Sequence, residues 1–183
     1  YLYCARAPFH PAAPLAWSGF DGGLAGSVHA DTGFCFYNEL PRHRQYVAPF
    51  ALASRLVSNG EYLAFIEAGG YREPALWLSE GWDRVCELQL AHPLYWQREA
   101  HGRWHEFPLH GLQPLDAARP ATHLSLYEAD ACAHWMSARL PTEAEWELAC
   151  AGIGTLAGAL HPGGAPQGEG LQQMFGACWQ WTS

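Results

Sequence analysis

The sequence predicts one α+β domain, built of short antiparallel strands, a few helices and many loops, and three observations carry that reading. A helix-start device, Ser or Thr followed three residues later by Glu, recurs at Ser58, Ser125 and Thr142, each time ahead of an apolar-periodic run. Short alternating segments surround Gly-rich turns between Leu15 and Ala53. An aromatic-rich stretch from Pro93 to Leu112 alternates about a central glycine. With 183 residues, 49% of them hydrophobic, the chain can bury a real core in one domain.

Taken in order, residues 1–14 read as a linker, because "ARAPFHPAAP" is rich in Pro and Ala. The domain then runs from 15 to 183. "LAWSGFDGG" and "GFCFYN" read as two short strands around a Gly-rich turn, and "HRQYVAPFALA" as a further strand. Helices start at Ser58, Ser125 and Thr142. In each, the hydroxyl is placed to cap the N3 amide, and Glu61, Glu128 or Glu145 to reach back to the cap. The runs that follow are "EYLAFIEAG", "EADACAHWMSARL" and "EWELACAG".

The acids of "ARLPTEAEWELAC" raise the question of a carboxylate site. Pro141 precedes the cap and Thr142 is the cap. Glu143 and Glu145 then fall in the first turn, where the helix dipole favours negative charge by about 0.3–1 kcal/mol each. Capping accounts for them without catalysis. "PLYWQREAHGRWHEFPLHGL" reads as a hairpin turning near Ala100-His101-Gly102, with Tyr95, Trp96, Trp104 and Phe107 as cross-strand aromatics. His101 and His105, followed by Glu106, would share one face of a helix. Gly102 and the alternating aromatics argue for a hairpin instead, so no metal role is assigned.

Composition excludes some partners. A net charge of −8 with only 10 Lys and Arg leaves no basic stripe for phosphates, so nucleic acid and anionic membranes are not expected partners. No apolar run reaches the roughly 18 residues of a membrane span, and no signal peptide is recognisable, which reads as soluble and cytoplasmic. Tyr1 in first position and the ending "CWQWTS" suggest a piece of a longer protein. The six cysteines form no C-x-x-C pair, and reduced thiols are expected, with Cys132 and Cys150 as buried small apolar residues on helices. The remaining histidines are dispersed, and no phosphate loop, Walker sequence or G-x-S-x-G elbow appears.

Five strings, however, agree together with a known family. "NELPRH", "SNGEYLAFIEAGGYREPALWLSEGW", "PLYW", "HLSLYEADACAHWMSARLPTEAEWELA" and "MFGACWQWTS" resemble the C-terminal domain of the ergothioneine-biosynthesis (hercynyl) sulfoxide synthases. These belong to the wider sulfatase-modifying-factor superfamily, which includes the formylglycine-generating enzymes. The signature residues are Asn59, Gly60, Glu61, Tyr62, Tyr127, Glu128, Asp130, Arg139, Leu140, Pro141, Thr142, Glu143, Glu145, Trp146, Glu147, Trp179 and Trp181, to which structural roles are assigned.

The resemblance implies a C-type-lectin-like fold and a non-haem iron(II), oxygen-dependent enzyme. Such enzymes join γ-glutamylcysteine or cysteine to Nα-trimethylhistidine (hercynine) as a sulfoxide. It further implies that three histidines of an N-terminal DinB-type bundle, upstream of residues 1–14, hold the iron. Catalytic side chains are implied beyond Ser183, so no catalytic, cofactor-binding or metal-binding residue is assigned within these 183 residues. Where relatives read G-D/N-V-W-E-W, this chain has Ala177 and Gln180, which puts in question the polar network or ion those positions support. Two other readings remain: a formylglycine-generating-type oxidase, which uses paired cysteines and copper, and a non-catalytic lectin-like module with tryptophans on a ligand surface.

Overall fold

The first four strands form one antiparallel ribbon with an interruption. In the computed structural model, which describes residues 12–26, 41, 43–109, 111–154, 161–165 and 168–183, β1 (Trp17–Phe20) pairs with β4 (Phe50–Ala53), and β2 (Gly23–Gly26) with β3 (Arg44–Val47). The register runs straight through the break: Phe20 faces Phe50, and three residues further along each strand Gly23 faces Val47. "HRQYVAPFALA", expected as a single strand, is therefore two, parted at Ala48-Pro49, where proline supplies no N–H to the ladder. Gly22 opposes this gap at φ +72°, and a Cβ there would run into the Val47 carbonyl. The "GFCFYN" strand and most of residues 1–14 lie outside the described residues.

All three expected capping boxes form. Ser58 caps α1 (Asn59–Glu67), Ser125 caps α3 (Leu126–Trp135) and Thr142 caps α4 (Glu143–Cys150). Each such cap contributes about 1 kcal/mol. Between α1 and α3, two 3-10 turns (Gly70–Arg72 and Pro74–Leu76) lead into α2 (Ser79–Leu88). That helix carries no capping side chain, since Leu78 stands at its N-cap, and so it lacked the signal that marked the others. Its buried Gly81 lets the helix approach Tyr127, whose Cβ would lie 2.7 Å from an added methyl.

The hairpin is as expected: β5 (Trp96–Arg98) pairs with β6 (Trp104–Glu106), and Gly102 turns at φ +84°. A short β7 (Gln113–Pro114) adds a third strand. Trp96 and Trp104 meet edge to face at 5.9 Å. Tyr95 and Phe107 do not join that cross-strand stack. Tyr95 turns its ring to His123 at 4.9 Å, and Phe107 is exposed.

One core gathers these pieces. Tyr62 and Phe65 of α1, Tyr71 and Trp77 of the 3-10 turns, Val85 of α2, Trp96 of β5, and Ala131 and Cys132 of α3 pack together. Each large side chain so buried contributes about 1.5–3 kcal/mol from removed apolar surface. Gly70 is required at the centre, because a Cβ on it would overlap the Phe65 ring. The tryptophans divide: Trp77 and Trp96 are buried, but Trp17, Trp135, Trp179 and Trp181 are exposed, Trp179 completely, so burial does not explain those four. Among the described residues, no helix is long and apolar enough to cross a membrane.

Candidate functional site

The signature residues concentrate at the helix starts, where a shared construction appears. Glu61 caps α1 and also accepts two hydrogen bonds from Arg55, at 2.8 and 2.9 Å, while Arg55 donates a third to the Leu56 carbonyl. Glu145 repeats the pattern at α4: Arg139 donates to it at 2.8 and 2.5 Å and to the Leu140 carbonyl at 3.0 Å. Both follow R-x-x-[S/T]-x-x-E, so the arginine three residues before the cap was a sequence signal that capping boxes alone did not capture. The Arg139 hydrogen bonds outweigh burial and hold the Glu145 carboxyl down to about 2. At Glu61 burial opposes ionisation, yet Arg55 and Ser58 still bring it below its ordinary range.

At α3 a tyrosine replaces the arginine. Glu128 accepts from the Ser125 backbone and hydroxyl with one oxygen, and from the Tyr71 hydroxyl at 2.6 Å with the other. The Tyr62 hydroxyl lies 3.0 Å from that of Tyr71. Tyr71 has committed its proton to the carboxylate, so Tyr62 must be the donor to Tyr71. Burial, then the nearby negative charge, push both phenols upward. Burial likewise pushes the neighbouring Cys132 thiol up to about 12 and that of Cys150 to about 11.

A second polar cluster underlies the hairpin. Asn59, fully buried, donates to Glu106 at 3.3 Å and to the Asp116 carbonyl at 2.9 Å. Arg119 donates to Glu106 at 3.3 Å and pairs with Asp116 at 3.4 Å. Burial raises the Glu106 carboxyl although Arg119 and Asn59 oppose it. Gly60 donates its amide to the Ala117 carbonyl at 2.9 Å, which ties this segment to α1. His105 pairs with Glu99 at 3.4 Å, whereas Glu106 turns into the buried cluster, as alternation along a strand requires. The His101, His105 and Glu106 pattern therefore does not converge.

The C-terminal segment closes over α4. Gln180 accepts the Trp146 indole N–H at 3.0 Å and donates to the carbonyls of Met174 and Gln173 at 2.9 and 3.2 Å. The Trp181 indole donates to the Leu124 carbonyl, and the Ser183 amide to that of Pro141, both at 2.9 Å. Gln180 thus builds a polar network of its own on an amide, while Ala177 contributes no polar side chain to it. Asp130 lies 3.4 Å from His134, Tyr127 donates to Glu80 at 2.5 Å, Glu143 sits exposed in the first turn of α4, and Glu147 lies on the same helix. Two open clefts, of about 350 and 320 Å³, are lined around Arg72 and Trp135 and around Ser18 and Gln172. None of the signature residues lines either.

This arrangement of small ribbons, capped helices and hairpin is an α+β, C-type-lectin-like fold. Residues 22–169 match the sulfatase-modifying factor enzyme 1-like domain, and the chain belongs to that family. It is 35% identical to the hercynine oxygenase of Mycolicibacterium thermoresistibile, over 84% of this chain and 40% of that protein. Identity to the hercynine oxygenase of Mycobacterium tuberculosis is 33%, over 87% of this chain and 43% of that protein. A formylglycine-generating enzyme of Streptomyces coelicolor is 29% identical over 82% of this chain and 62% of its own length. The chain thus spans about two-fifths of the hercynine oxygenases it matches.

Proposed function

We propose that this domain is part of an oxygen-dependent sulfoxide synthase. In it, γ-glutamylcysteine or cysteine is joined to Nα-trimethylhistidine in ergothioneine biosynthesis, in the cytoplasm. The observation that carries the reading is the similarity to hercynine oxygenases over more than four-fifths of the chain, at higher identity than to the formylglycine-generating enzyme. Iron(II) would supply oxygen activation in such an enzyme. Its ligands would be three histidines of a separate DinB-type bundle; among the described residues no group of three or more His, Cys, Asp or Glu stands together to hold a metal ion.

On this reading the domain supplies a wall to the substrate site and a rigid base for it. The Arg-sealed caps and the Gln180 clamp fix the ends of the helices, and rigid elements position a site better than loops do. Leu94, Tyr95, Phe107, Leu109 and Leu112 leave an apolar rim exposed along one stretch of chain, the kind of surface a second domain covers. The buried thiols Cys132 and Cys150, both pushed far above neutrality, suit packing rather than nucleophilic or metal chemistry.

Calorimetric titration of the full-length protein with Nα-trimethylhistidine tests this. Saturable binding that histidine itself does not match supports the synthase. Absence of binding, together with oxidation of a cysteine peptide in the presence of copper, would instead favour a formylglycine-generating-type oxidase.

A further inference from the structure

From the partly buried Trp104 a continuous line of oxidisable side chains runs into the core, and no part of the proposed synthase reaction uses it. Trp104 meets Trp96 at 5.9 Å between ring centroids, and Trp96 meets Tyr62 at 5.9 Å. From Tyr62 the contact continues as hydrogen bonds, 3.0 Å to the Tyr71 hydroxyl and 2.6 Å onward to the Glu128 carboxylate. Tryptophan and tyrosine are the aromatic side chains that lose an electron most readily. We propose that Trp104, Trp96 and Tyr62 form a one-electron relay whose last step is proton-coupled, with Tyr71 passing the proton on to Glu128.

Direction follows from where bases stand. The indole N–H of Trp104 is buried without a hydrogen-bond partner. The His92 ring meets Trp104 edge to face at 5.6 Å without hydrogen-bonding that N–H, and the Arg98 guanidinium lies over the indole at 5.6 Å, so a positive charge left on an oxidised Trp104 is repelled by a neighbouring cation and Trp104 remains strongly oxidising. Tyr62 stands at the opposite extreme, with an ordered path for its proton. The 2.6 Å hydrogen bond from Tyr71 to Glu128 is at the short, charge-assisted end of the range. Both phenols are raised by burial and so are protonated at rest, ready to release a proton only on oxidation.

A one-electron oxidant of the class formed by partial reduction of dioxygen, such as a peroxyl radical, takes one electron from the Trp104 ring. Trp96 refills Trp104, and Tyr62 refills Trp96. As Tyr62 loses its electron, its hydroxyl proton passes to the Tyr71 oxygen, and the Tyr71 proton passes to Glu128. The products are the reduced oxidant, both tryptophans restored, a neutral Tyr62 phenoxyl radical, Tyr71 as phenol, and Glu128 as the carboxylic acid. Such a path draws damaging equivalents into a buried store. Its usefulness rests on the oxygen-dependent reading above, but its existence does not.

Flash photo-oxidation of the full-length protein by tris(bipyridine)ruthenium(III) tests the relay without any substrate turnover. The expected result is a tryptophanyl radical signal that decays as a tyrosyl signal grows, at a rate independent of protein concentration and slowed in heavy water. The growth should be lost in a Tyr62→Phe/Tyr71→Phe double variant and diminished in Trp104→Phe. The heavy-water experiment on the unaltered protein stands even if a variant misfolds. Tryptophanyl decay without tyrosyl growth, growth that depends on protein concentration, or no slowing in heavy water would overturn the proposal. Hercynine binding and turnover are read separately, so either idea can fail alone.

Discussion

Arg139 grips Glu145 with both ends of its guanidinium, at 2.8 and 2.5 Å, while the same carboxylate accepts the Thr142 backbone amide at 2.8 Å and so caps α4. One carboxylate thereby closes a helix and anchors the loop before it. Because its folded-state value lies near 2 against an ordinary 4.5, the ionised form stabilises the fold fully above about 4.5, and that contribution is lost as pH falls toward 2. Urea unfolding followed between these limits should show a steady loss of stability. In Arg139→Leu the carboxyl titration, read by NMR, should move up toward 4.5. An unmoved titration would show that the arginine is not its cause.

Gln180→Glu tests the clamp on α4. A carboxylate can still accept from Trp146, but it has no proton for the carbonyls of Met174 and Gln173, which stand 2.9 and 3.2 Å from the amide nitrogen. Leaving acceptors facing an acceptor should cost about 1–3 kcal/mol in chemical denaturation. Unchanged stability would mean that the amide's donations contribute nothing.

Gly70→Ala should be among the most damaging single-methyl changes in the domain. The new Cβ would overlap the fully buried Phe65 ring, and overpacking of this kind costs about 1–3 kcal/mol. Adding Phe65→Leu should recover part of the loss, which thermal unfolding of the single and double variants measures.

Thiol labelling at neutral pH should separate the cysteines by burial. Among the described cysteines Cys86 is exposed and should react first. Cys132 and Cys150 are buried, with thiols pushed up to about 12 and 11, and should label only on unfolding. Rapid labelling of either in the native protein would contradict their packing.

Local chemistry was the legible part of this sequence. The three capping boxes and the Gly102 hairpin could be placed because each depends on residues within a few positions of one another. The helix Ser79–Leu88 was not, since nothing in its sequence caps it and tertiary packing against Tyr127 holds it in place. The Arg139 seal falls on a signature residue already given a structural role, whereas Arg55, which repeats it in the same R-x-x-[S/T]-x-x-E spacing, was not singled out. The link from Tyr71 to Glu128 spans 57 residues and could not be inferred from spacing at all. Nor could the exposure of Trp179, because a tryptophan in a signature string reads equally well as core.

The most direct measurement is oxygen consumption by the full-length protein, loaded anaerobically with iron(II) and given Nα-trimethylhistidine with γ-glutamylcysteine or with cysteine. Uptake should require both the betaine and one of the thiols and yield a sulfoxide of their conjugate. Oxygen uptake indifferent to Nα-trimethylhistidine, or a protein that does not retain iron, would contradict it.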